Sequence, residues 1–137
     1  MSRIINPDSA GKERIRLSKA VVLAVRELAK QTQPGAESRD LAAFIVLALS
    51  IISETIDISV AAWEKRGYWV KADKFRMEWA WSGQFSKKMD HAVKTDDWEN
   101  VALVSAQVVQ KLNKITVPPG HRLGHQWVGA WNELQKL

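Results

Sequence analysis

Residues 41–62 read LAAFIVLALSIISETIDISVAA, and how the protein houses this stretch decides its fold. At about 20 largely apolar residues it is long enough to span a bilayer. It carries Glu54 and Asp57 well inside, however, and ionised carboxylates near a bilayer centre are costly. A buried helix is the better reading. Leu41, Ile45, Leu49, Ile52, Ile56 and Trp63 fall on one helical face. Phe44, Val46 and Leu47 lie off that face, so the first half is apolar all round and marks the most enclosed helix of the chain.

Working outward, Ser38 or Asp40 starts this helix and Gly67 is a natural residue to end it, giving a range of 38–66. Upstream, Gln33-Pro34-Gly35-Ala36 interrupts the chain. Before that break, Asn6-Pro7 supplies a cap and a first helical residue for a helix over 7–32. Its inner face holds Leu17, Val21, Ala24, Val25 and Leu28. Downstream, one helix is predicted from Tyr68 or Trp69 to Lys94, with Phe75, Trp79, Ser82, Met89 and Val93 inside. Gly83 within it costs about 1 kcal/mol relative to alanine, which points to a close helix approach or a bend. Asp96 with Glu99 resembles a capping box and opens a fourth helix over 97–114 that buries Trp98, Val101, Ser105, Val108 and Leu112. After Pro118-Pro119-Gly120 a short tail helix follows from about Gln126, with Trp127, Trp131 and Leu134 on one face.

The connections are short, and short connections make successive helices antiparallel neighbours. The expected fold is therefore all-α: an up-and-down four-helix bundle with a short C-terminal tail helix. It forms one domain over residues 1–137, with the tail 115–137 packing on one end. The length of 137 residues suits a single domain. With no cysteine, disulfides and thiolate metal sites are excluded. Residues 1–20 are too charged for a signal peptide, so a cytoplasmic location is expected, with no membrane partner. Seven tryptophans are many for this length, and tryptophan is enriched in interfaces as well as cores.

Catalytic and metal-binding patterns are thin. Glu54 and Asp57 stand three residues apart, as carboxylates do in di-metal bundles. Those sites add Glu-x-x-His motifs on facing helices, and the chain has none. The pair reads as a solvated or arginine-paired acidic face. His121 and His125 have the spacing of two zinc ligands on a helix, but Arg122-Leu123-Gly124 between them and Pro-Pro-Gly before them disfavour a helix. The serines lie outside any nucleophile elbow, and no phosphate-cradling glycine loop is present. Small helical ribonucleases place His four to six residues after Arg; here Arg122 and His125 are separated by only two residues. Neither a cofactor nor a metal is expected.

Two surface features remain. The net charge of +5 is uneven: residues 1–33 hold seven Lys/Arg against three Asp/Glu, and residues 67–94 hold six against three. On the first helix Lys12, Arg16, Lys19, Arg26 and Lys30 form a stripe opposite Leu17, Val21 and Leu28, about 27 Å long. Only Leu23 lies within it, and Glu13 and Glu27 flank it. Exposed helices usually interleave signs, so a stripe this poor in acids is a candidate polyanion-binding face, with nucleic acid, RNA or a single strand, as the partner. The second feature is Met77, Trp81 and Phe85, spaced by four residues on the third helix and lying away from its core face. That ridge is a candidate contact for a protein subunit or a second copy.

Size, all-α character and a basic surface together resemble the small subunit of CRISPR effector complexes. The resemblance covers the general character of the whole chain and no motif. It implies a non-enzymatic subunit that contacts nucleic-acid backbone and neighbouring subunits, with sequence read by guide pairing. Two alternatives stand beside it. One is a homo-oligomeric adaptor bundle with incidental charge, and the other a metal- or ligand-binding bundle enzyme using Glu54 and Asp57.

Overall fold

The computed structural model describes residues 7–118, 121 and 123–137. Among these residues there are six α-helices and no strand. They are α1 (Pro7–Ala29), α2 (Ala36–Lys65), α3 (Trp69–Trp79), α4 (Trp81–Lys94), α5 (Trp98–Lys111) and α6 (Ala130–Gln135). Asn6, Pro119, Gly120 and Arg122 lie outside the described residues, and with them the expected cap of α1.

Helix α2 is the hub. It is long and apolar enough to cross a membrane, but α1, α3, α4 and α6 all pack on it. Leu41, Ile45, Leu49 and Ile52 are fully enclosed, and each such side chain contributes roughly 1.5–3 kcal/mol by leaving water. Glu54 and Asp57 are exposed. Helices α1 and α4 run antiparallel to α2. Arg14 near the start of α1 meets Thr55 and Ser59 of α2, and Ser86 of α4 donates to the Val46 carbonyl. Gly83 lets α4 come close: a Cβ there would stand 3.2 Å from the Ser53 hydroxyl.

The helix ends follow local chemistry. α2 starts from Gly35, because the Ser38 hydroxyl turns back to the Gln33 carbonyl at 3.3 Å and Asp40 is engaged elsewhere. At its other end Gly67 adopts φ 82°, and the Tyr68 N–H donates to the Trp63 carbonyl at 2.9 Å, the closure that favours glycine. For α5 the cap is Asp97, one residue later than expected. Its carboxylate accepts from the Asn100 N–H at 3.2 Å, while Asp96 takes a left-handed φ of 54° and pairs with Arg39.

The expected third helix is two helices. The ladder is interrupted at Ala80, where the Ser82 hydroxyl donates to the Trp79 carbonyl at 2.8 Å. Read on one wheel, the buried face swings by roughly 80° between α3 and α4. Helix α4 also has two neighbours, α2 and α5, and so buries a wide arc: Trp81, Ser82, Phe85, Ser86, Met89, Ala92 and Val93.

The tail does not simply cover one end. Arg26 donates to the Val117 carbonyl at 3.3 Å, and Arg16 to the Gln126 side chain at 3.2 Å. The segment therefore passes along the flank of α1. Helix α6 then docks on α2, where the Asp40 carboxylate accepts from the Gly129 and Trp131 N–H groups at 3.2 and 2.9 Å. Those are first-turn donors of α6, so Asp40 acts as its long-range cap. Trp127 and Leu134 are buried, and Trp131 is half-buried.

Candidate nucleic-acid interface

Lys12, Arg16, Lys19, Arg26 and Lys30 are all exposed on α1, but they do not form one continuous stripe. Leu23, expected in its middle, is only 5% exposed. The hydrogen bonds from Arg16 and Arg26 show why, because they hold the C-terminal segment against this face. An apolar residue flanked by two arginines is a seat for a crossing chain: leucine is dehydrated and the arginines take its carbonyls and amides. Helix α1 is accordingly buried all round from Ala20 to Val25.

The flanking acids matter as well. Glu13 pairs with Arg16 at 3.0 Å and Glu27 with Lys30 at 3.1 Å, each three residues apart. Signs are thus interleaved more than the wheel implies. Lys12 and Lys19 have no acidic partner among the described residues. Lys12 and Lys19, seven positions and about 10 Å of helix apart, are the part of the stripe left to meet a polyanion, with Arg16 between them held by Glu13 and Gln126. Arg26 and Lys30 lie beyond the crossing.

Arg14, one position off that face, shows a different use of charge. Its guanidinium donates to the Thr55 and Ser59 hydroxyls at 3.3 and 3.5 Å and lies 4.7 Å from the Phe75 ring centroid. Burial lowers its pKa from the ordinary arginine value, yet an arginine stays charged. It ties α1 to α2 and α3 and sets the first half of α1 beside the far end of α2.

At that same end lies a feature the sequence reading passed over. Residues 65–74 read KRGYWVKADK and form the corner between α2 and α3. Tyr68, Trp69 and Val70 are 54%, 62% and 71% exposed, and Met77 two turns further is 76% exposed. Lys65, Arg66, Lys71 and Lys74 are exposed too, and none has an acidic partner among the described residues. Arg76 differs, being held by Asp73 at 2.7 Å and Glu64 at 3.0 Å. The signal was present as alternating basic and aromatic residues, but it falls on a helix junction where wheel analysis has no face to test.

The Met77–Trp81–Phe85 ridge is not a surface. Trp81 and Phe85 are 8% and 9% exposed and belong to the core, with Trp81 stacked on Trp79 at 5.6 Å. The interruption at Ala80 turned them inward, and Met77 alone stays outside. Elsewhere, His121 accepts from the Leu123 N–H and His125 stacks on Trp127. Among the described residues no three His, Cys, Asp or Glu side chains converge.

Comparisons with protein-family models, with curated proteins and with solved structures find no match to this chain.

Proposed function

We propose that this protein is a non-enzymatic helical subunit that binds nucleic acid through the phosphate backbone and docks on protein neighbours in a larger assembly. Its helices on this reading form an up-and-down four-helix bundle strapped by the tail. The observation that carries the proposal is the cluster Lys12, Arg16 and Lys19 on α1, in which both lysines are exposed and lack an acidic partner among the described residues. Cations about 5–10 Å apart along a helix match the scale of successive backbone phosphates, and such contacts position a strand without reading its sequence. The small subunit of a CRISPR effector complex is the assembly part this general character resembles.

The protein-docking half of the proposal moves from the Met77–Trp81–Phe85 ridge to α5. This helix packs on α4 and touches α1 only lightly, and its outer side exposes Ala102, Leu103, Ala106 and Val109. Self-association through that face is the second reading, in which the charge on α1 serves solubility.

The test reverses Lys12 and Lys19 to glutamate. Arg16 is left in place because it also holds the tail. On the proposal, K12E/K19E weakens binding to every oligonucleotide tried and flattens the salt dependence by roughly 1.5–2 in log–log slope. A wild-type protein that binds nothing at low salt, or a variant that binds as the wild type does, leaves α1 a solvated face.

A further inference from the structure

Of the seven tryptophans, Trp69 alone is exposed; the other six are buried or half-buried. Leaving an indole in water forgoes the burial that makes tryptophan worth keeping in a core. Beside it Tyr68 is also exposed, and Lys65, Arg66, Lys71 and Lys74 lie within six residues of the pair. We infer that this α2–α3 corner is a base-stacking platform that makes the protein prefer single-stranded over double-stranded nucleic acid. The inference rests on the nucleic-acid reading above and adds to it the strand form and the residues that choose it.

Four observations support it. First, the free charge at the corner is mainly positive, set against the exposed Glu78 of the adjoining groove. The carboxylates of Glu64 and Asp73 are already taken by Arg76, leaving four lysine and arginine side chains with no acidic partner among the described residues. An anionic occupant is therefore complementary. Second, the exposed groups are flat rings at a chain turn, and Trp69 leaves 62% of its surface open for stacking. Nucleobases have flat faces in every sequence, which makes such stacking tolerant of sequence.

Third, a groove of about 550 Å³ adjoins the corner, lined by Trp63, Val70, Lys71, Lys74, Phe75 and Glu78. Its aromatic wall is Trp63 packed edge-on against Phe75 at 4.8 Å, and the Lys71 ammonium lies 4.6 Å from the Trp63 ring centroid. A base entering the groove meets rings, while its phosphate meets Lys71 or Lys74. Fourth, Arg14 binds the start of α1 to this region, so Lys12 stands at the same end of the molecule.

A lipid surface fits less well. The outward side of α3 that would have to enter the headgroups carries Asp73 between Val70 and Met77, and its side chain is 69% exposed. Glu78 is exposed on the next turn. Insertion would strip water from these charged side chains, paired or not, whereas a strand lying across the corner leaves them solvated. In duplex nucleic acid the bases are stacked on one another and offer no face to Trp69, so only the phosphate contacts remain.

The experiment measures fluorescence anisotropy with a labelled 15-nucleotide oligo-dT, its RNA counterpart oligo-U, and a mixed-sequence duplex of the same length. Proteins compared are the wild type, Trp69→Ala, Trp69→Phe and K12E/K19E. The wild type is expected to bind single strands more tightly than duplex. Trp69→Ala should lose about tenfold or more on single strands, keep its duplex affinity, and keep its salt slope, since no phosphate contact is removed. Trp69→Phe should recover most of the loss, because a ring is restored. Circular dichroism should be unchanged throughout, as Trp69 makes little of the core.

If all three nucleic acids bind but Trp69→Ala behaves as the wild type, the platform is refuted and the phosphate reading stands. If no nucleic acid binds, both fail. Vesicles of phosphatidylserine and phosphatidylcholine serve as the other arm. Vesicle binding that needs Trp69, with oligonucleotide binding indifferent to it, overturns the inference and assigns the corner to lipid.

Discussion

Trp81 offers the sharpest check on how α3 and α4 are arranged. Its side chain is 8% exposed, stacked on Trp79 at 5.6 Å and tilted against Phe85 at 5.8 Å. A tryptophan buries about 150–250 Å², which at about 25 cal/mol per Å² gives roughly 4–6 kcal/mol of transfer free energy as an upper bound. Ring contacts add about 0.5–1.5 kcal/mol, and partial collapse of the site returns some of the loss. Trp81→Ala should therefore cost about 3–5 kcal/mol. In a domain of this size that lowers Tm by roughly 10–20 °C. The comparison is Met77→Ala, four residues earlier and 76% exposed, which should stay within about 0.5 kcal/mol of wild type. Urea denaturation followed by circular dichroism, at dilutions where any assembly has dissociated, reads both. Were Trp81→Ala as stable as wild type, α4 would not be turned inward at Ala80, and Trp81 would be a surface residue after all.

Asp40→Ala should free α6 while leaving α1–α5 folded: a lost cap costs about 0.5–2 kcal/mol, and hydrogen exchange at Gly129 and Trp131 should accelerate markedly. Unchanged protection at those two amides would show that the tail is held by Trp127 and Leu134 alone. Asp97 should give α5 a pH dependence. Hydrogen bonds from the Asn100 side chain and N–H hold its pKa below the ordinary 3.8, so the stability it provides is present above that value and lost as pH falls through the lower, folded-state pKa. Thermal melts of the wild type and Asp97→Asn should accordingly differ at neutral pH and converge in strong acid, and parallel curves at all pH values would contradict this.

The parts of this fold legible in the sequence are those governed by a single periodic face. Leu41, Ile45, Leu49 and Ile52 announce α2, and Gly67 announces its end. Legibility fails where two elements compete for one surface. The α1 stripe looked continuous because a wheel shows one helix at a time, and nothing in it says that Val117 and Gln126 will cross at Leu23. Trp81 and Phe85 looked external because the wheel assumes an unbroken ladder through Ala80, where the helix is in fact interrupted. Trp69 went unremarked for the converse reason, since it begins α3 at a junction where no periodicity exists to mark it as out of place.

If α1 binds phosphates as proposed, its affinity for nucleic acid must fall as salt rises. Anisotropy of labelled RNA and DNA with the wild-type protein, titrated between about 50 and 200 mM salt, gives the log–log slope of affinity. Two to three engaged phosphates predict a slope of roughly −1.5 to −3, with similar values for unrelated sequences of one strand form. A slope near zero, or binding confined to one sequence, would contradict the claim.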